Sequence, residues 1–140
     1  QLAGTRAVAP NPGDYMILPD IISKEPLAPA VRHGDNQWKD IVNYSVLATI
    51  NAEELGITSK NVDAMLKSND PRIKRFLGVT KGIGKALGLD ENFAYNIVKM
   101  VGNYGEIFER NVGVNTQLGI ERGLNALWTN GGLMYSPPFK

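Results

Sequence analysis

Two kinds of hydrophobic patterning divide the chain near Gly34. From Asp35 onward apolar residues recur at helical spacing. Trp38, Ile41, Val42, Ser45, Ala48, Thr49, Ala52 and Leu55 form one stripe, which predicts an amphipathic helix N-capped by Asp35 and ended by Gly56 at C′. Thr58 or Ser59 can cap a short helix running through Leu66, and Asp70-Pro71 sets a cap beside proline at the first helical position of a segment that Gly78 ends. Asp90 is placed to cap a helix with Phe93, Ala94, Ile97, Val98 and Val101 on one face. Gly102 interrupts it, Tyr104, Ile107 and Phe108 continue it, and Gly113 closes it. A last helix is predicted from Thr116, with Ile120, Leu124, Leu127 and Trp128 inward and Gly131-Gly132 as its stop. Pro137-Pro138 requires an extended tail.

Before Gly34 the pattern is different. Five of the eight prolines lie here, at positions 10, 12, 19, 26 and 29, and they forbid long helices. Asn11-Pro12-Gly13-Asp14 is a turn signal. The apolar run Tyr15-Met16-Ile17-Leu18, bounded by Pro19, reads as a short buried strand. Pro26 to His33 is a second strand candidate, with Leu27, Pro29 and Val31 on one side. Its two prolines cannot donate ladder hydrogen bonds, so an edge or hinge-crossing position is predicted.

Composition narrows the classes. At 140 residues the chain allows one compact domain, and with 43% apolar and 21% charged residues it is not a highly charged disordered chain. Fifteen basic against fourteen acidic residues leave a formal charge of +1, which gives no strong footprint for nucleic acid or an anionic membrane. There is no Cys, which removes disulfide scaffolds, thiolate zinc sites and Cys nucleophiles. No apolar run approaches the roughly 18 to 20 residues that span a bilayer. The chain begins with Gln1, which reads as a processed or truncated product.

None of the short motifs builds a chemical site. Gly78 to Ala86 resembles a phosphate loop, but five residues separate Gly78 from Gly84-Lys85, Ala86 stands where a magnesium-binding hydroxyl is needed, and no buried strand precedes it. A helix C-cap followed by a flexible connection explains the same glycines. His33 is the sole histidine, so multi-imidazole metal sites are excluded, and a strand-end residue is the expected role. Glu53-Glu54, Asp90-Glu91 and Glu106 with Glu109 are paired carboxylates only in sequence; no spacing places two of them across a cleft. Lys67, Arg72, Lys74 and Arg75 suggest phosphate contacts of a helix-turn-helix, or the solvated face of a surface helix. No catalytic residue, metal ligand or cofactor is expected.

Longer runs carry more information. Leu2-Ala3-Gly4-Thr5-Arg6, then Ile22 to Trp38 (ISKEPLAPAVRHGDNQW), Gly102 to Asn111 (GNYGEIFERN), Arg122 to Trp128 (RGLNALW) and Tyr135-Ser136-Pro137-Pro138 together resemble the C-terminal part of periplasmic general L-amino-acid-binding proteins of ABC transporters. The resemblance covers nearly the whole chain. It implies a two-lobed α/β clamshell that closes on one amino acid and delivers it to a membrane permease in the periplasmic setting. The chain would then be an α/β fragment, mainly helical. Residues 1–25 would be the remnant of the second lobe, 26–34 the hinge-crossing strand, and 35–140 a helical region packing on the first lobe.

Such proteins run to more than twice this length, so the resemblance also implies what lies elsewhere. The Arg that pairs with the substrate carboxylate belongs to the absent first-lobe core, and the acidic residue for the ammonium group would sit immediately before Gln1. Glu25 and Leu27, at the start of the crossing strand, are the remaining candidates for ligand contact. Alternatively, Glu25 is a solvated turn residue and Leu27 simple core. The L-amino acid would therefore be bound only through the complete parent. The isolated chain is expected to expose Ile41, Val42 and Ala48 and so to self-associate or pair with a chain carrying the rest. The competing reading is a stand-alone helical interaction or nucleic-acid-binding domain through Lys67 to Lys81.

Overall fold

The computed structural model describes residues 1–23 and 26–139. Among the described residues seven helices follow in order: α1 (Leu2–Ala7), α2 (Asn36–Glu54), α3 (Val62–Met65), α4 (Pro71–Phe76), α5 (Ile83–Leu87), α6 (Phe93–Val101) and α7 (Tyr104–Asn111). Short 3-10 turns lie at Pro12–Asp14, Gly123–Asn125 and Trp128–Asn130. Among the described residues there is no strand, only an isolated bridge between Leu127 and Met134. None of these helices is long and apolar enough to cross a membrane.

α2 is the spine. Asp35 caps it as its position predicts, accepting a hydrogen bond from the Trp38 amide at 3.0 Å. Ala48 and Ala52 on its inner face are fully buried, and their small size lets α6 approach closely; α7 and α5 also pack against α2. The core joins these alanines to Ile57, Val62, Ile73, Phe76, Leu77, Phe93 and Val98. The C-terminal tail closes it. Phe139 is buried with its ring 5.6 Å from Tyr44, 5.3 Å from Phe76 and 6.4 Å from Phe93, within the range of favourable aromatic pairs.

Several expected features take another form. Neither Tyr15–Leu18 nor Pro26–His33 is a strand, because a strand needs a neighbour to complete its hydrogen bonds and none of the described residues supplies one. The helix expected from Asp90 to Gly113 is two helices. Gly102 sits at φ 85° and ends α6, and Asn103 opens α7 with a capping box in which its side chain accepts from the Glu106 amide while Glu106 accepts from the Asn103 amide, both at 2.9 Å. Asn92, not Asp90, occupies the N-cap of α6.

The helix expected from Thr116 does not form. Gly119 and Gly123 adopt φ values of 59° and 45°, and two glycines in one segment each cost about 1 kcal/mol of helix propensity. The segment is instead a compact loop in which the Trp128 amide donates to Met134 O and the Met134 amide to Ala126 O. Trp128 consequently points outward. Trp38 and Val101, assigned to apolar faces by periodicity, are also exposed.

The stripe expected to lie bare is mostly covered within the chain itself. Ala48 is fully buried and Ile41 and Val42 are half-buried. Exposed apolar surface concentrates before Gly34, where none of the described residues is buried.

Candidate functional site

The two residues expected to meet a ligand fall in the segment of least packing. Glu25 lies outside the described residues. Leu27 is 88% exposed on an extended stretch, so it is not part of the core. Just upstream, α1 and the run from Tyr15 to Ile22 form an open apolar groove of about 580 Å³ lined by Leu2, Ala9, Tyr15, Ile17 and Ile22 with Arg6 and Asp20. Such a groove has the size of a small-molecule cavity, but its walls are exposed residues.

The glycine-rich segment holds an anion already, and the anion belongs to the protein. Glu91 accepts hydrogen bonds from the amides of Gly82 at 2.9 Å and Gly84 at 3.2 Å, so its carboxylate occupies the place a phosphate would take. These amide contacts, the Gly82 bond foremost, hold the Glu91 carboxyl below the usual carboxylate range. A Cβ on Gly84 would meet Asp90 O at 2.4 Å, so only glycine admits the Asp90-Glu91 turn. The stretch expected to be a cap and a flexible connection is in part the short helix α5.

The other carboxylates are likewise committed to structure. Glu53 and Arg122, 69 residues apart, form a bidentate pair at 3.0 and 3.1 Å, with side chains only 18% and 20% exposed. Arg122 also donates to Asn125 O and lies 5.3 Å from the ring centres of both Tyr104 and Phe108. Gly105 leaves the room: a Cβ there would meet the Arg122 guanidinium at 2.9 Å. This clasp ties α2, α7 and the 122–125 turn together. Sequence reading missed it because nothing local marks two such distant residues as partners.

Glu106 completes a second junction. Besides its capping role, it accepts from the Ser59 amide at 2.9 Å and the Ser59 hydroxyl at 2.6 Å, which joins α7 to the turn before α3. Burial pushes its carboxyl up, but the Ser59 and Asn103 hydrogen bonds outweigh burial and hold it below the usual range. Asn103 is buried and donates to Ile57 O at 2.8 Å. Glu54 accepts from the Ser136 amide.

His33 is exposed, in the turn before the α2 cap. In the basic stretch, Arg72 is paired with Asp70 at 2.7 Å, and α3 and α4 are four and six residues long with Ile73 and Phe76 turned into the core. Among the described residues no group of three or more His, Cys, Asp or Glu side chains is placed to hold a metal ion.

No protein-family model matches the chain. It is 57% identical over 141 residues to the general L-amino acid-binding periplasmic protein AapJ of Rhizobium johnstonii. It is 54% identical over 140 residues to the glutamate/glutamine/aspartate/asparagine-binding protein BztA of Rhodobacter capsulatus. Each alignment covers 99% of this chain and 41% of the relative. A solved structure, an ABC transporter periplasmic binding protein from Brucella ovis with glutathione bound, superposes with a TM-score of 0.94 at 52% identity, over 99% of this chain and 44% of that one. The chain thus spans about two fifths of the length of the curated relatives it matches, and over 99% of its own length it is similar to proteins that are named for binding amino acids.

Proposed function

We propose that the chain serves as part of a periplasmic solute-binding protein that captures L-amino acids for an ABC-transporter permease, without catalysing a reaction. The observation that carries this reading is the 54–57% identity, over nearly every residue, to proteins named for amino-acid binding. In this reading residues 1–25 belong to a second α/β lobe, 26–34 cross the hinge, and 35–140 form the helical region that packs on the first lobe. A ligand bridging two lobes favours the closed form through contacts it makes only there. Glu25 and Leu27 are assigned to the cleft, and the exposure of Leu27 leaves its side chain free for a ligand.

The same reading accounts for the bare apolar surface before Gly34. Tyr15 to Leu18, without strand neighbours among the described residues, take them from the sheet of the second lobe. The 140-residue chain alone then has an incomplete pocket and associates with itself through that surface.

Isothermal titration tests this. The full-length protein containing this chain should bind glutamate or glutamine with micromolar affinity, while the 140-residue chain alone should give no binding heat. Light scattering should show the latter as larger than one chain. Binding by the isolated chain would overturn the placement of the cleft, and no amino-acid binding by the full-length protein would overturn the function.

A further inference from the structure

A second groove lies where the end of α2, the short helix α4 and the C-terminal tail meet. It measures about 570 Å³, the size of a small-molecule cavity. Asn51 and Glu54 of α2, Arg72 and Arg75 of α4, and Trp128 and Phe139 of the tail region are its informative walls. Leu27 is not among its walls.

Three features bear on what the groove can hold. The first is charge: among the described residues two guanidiniums and one carboxylate line it. Arg72 is engaged by Asp70, and Glu54 accepts from the Ser136 amide at 3.3 Å. Arg75, half-buried in the last turn of α4, forms no ion pair among the described residues. The second is Asn51, only 8% exposed, whose amide has no hydrogen-bond partner among the described residues. Every fully buried polar side-chain atom described does have one. The Asn51 amide therefore opens onto the groove, where a buried amide wants a partner. The third is Trp128, 59% exposed, which lines the groove together with the buried Phe139. The Trp128 turn is held by the Trp128 amide bond to Met134 O, so the ring stands on a fixed support.

We propose that this groove binds a small organic carboxylate with a flat apolar body. The carboxylate accepts the planar fork of Arg75, which suits it bidentately, and an N–H of Asn51, while the apolar body lies on Trp128 and the adjoining prolines. The Arg75 guanidinium repels an ammonium at the same point, and the indole gives a planar body an advantage over a bare anion.

The test is a titration of the full chain with phenylacetate, followed by the NMR signal of the Trp128 indole N–H, which is assigned by its loss in Trp128→Phe. A saturable shift is expected. Arg75→Ala should weaken it at least about tenfold and Arg75→Lys less, because a point charge replaces a fork. Acetate, lacking the body, should bind more weakly, and phenethylamine, with the body but the opposite charge, should produce no saturable shift. Circular dichroism checks that each variant is folded; if Arg75→Ala does not fold, Arg75→Gln and Arg75→Lys take its place. No saturable shift with phenylacetate, an unchanged affinity in the Arg75 variants, or equal binding of phenethylamine would overturn the proposal. Because the probe lacks an amino group and Leu27 is not a wall of this groove, the outcome is separate from that of amino-acid binding.

Discussion

Residues 1–34 and 36–139 share one chain but obey different physics. In the second region α2 presents two alanines to α6, aromatic rings gather around Phe139, and the carboxylates Glu53, Glu91 and Glu106 each accept several hydrogen bonds from other segments of the chain. In the first, Met16, Leu18, Ile22 and Leu27 are as apolar as any core residue and yet exposed. Hydrophobicity is therefore not enough to make a core. A segment rich in proline cannot wind into an amphipathic helix, and an extended segment needs neighbouring strands before it buries anything.

The contrast can be broken most sharply at Phe139. Truncation to alanine removes the ring shared by Tyr44, Phe76 and Phe93 and should destabilise the helical region by about 3–5 kcal/mol, measured by chemical denaturation; a loss below about 1 kcal/mol would mean the tail merely rests on the core. Arg122→Ala leaves Glu53 without its cation in a mostly covered place and should cost about 2–3 kcal/mol. Glu53→Gln,Arg122→Met together should cost less than either change alone suggests, a non-additivity that a double-mutant cycle reads directly. Asp35→Ala removes the α2 cap at the boundary between the regions and should cost about 1 kcal/mol.

A pH series sharpens the comparison further. Glu106 and Glu91 have folded-state pKa values lowered from the ordinary 4.5. A lowered value means stability that is fully present above the unfolded pKa and is lost as pH falls through the folded one. Stability of the helical region should thus decline as pH drops below about 4.5, and Glu106→Gln should flatten that decline; an unchanged slope would show that the Ser59 junction contributes nothing. At the small end, Ile17→Ser and Leu18→Ser should change the unfolding free energy by less than about 0.5 kcal/mol while raising the fraction of single chains in light scattering. Equally, amides of residues 15–23 should exchange with solvent without protection, while those of Ala48 to Ala52 exchange only on global unfolding.

The parts of the fold legible in the sequence are those whose signals are local. Asp35 followed by a helical stripe places α2 within a residue of its ends, and Asp70-Pro71 marks the start of α4. Gly102 as an interruption and the outline of α7 were readable for the same reason. The segment after Thr116 was misread because apolar periodicity competes there with Gly119 and Gly123, and with an Arg122 recruited by Glu53 from far along the chain. Glycines 78 to 84 look like an anion-binding loop, and the resemblance is physically sound: their amides do bind an anion, one supplied by Glu91 nine residues after Gly82. The resemblance of long runs to amino-acid-binding proteins was visible from residue identities alone, and homology bears it out, whereas the assignments of Glu25 and Leu27 stand as proposals.

The sequence by itself determined where the chain changes character, which segments wind into the long helices, and which protein family its residues resemble, because capping, proline geometry and periodic apolar positions act over a few residues. Tertiary structure alone decided which apolar residues are buried, which carboxylates are used up in holding elements together, and which polar side chains, Arg75 and Asn51 among them, line a groove. Those outcomes depend on partners dozens of residues away, and the energy of burial and pairing exists only once the chain has brought them within reach.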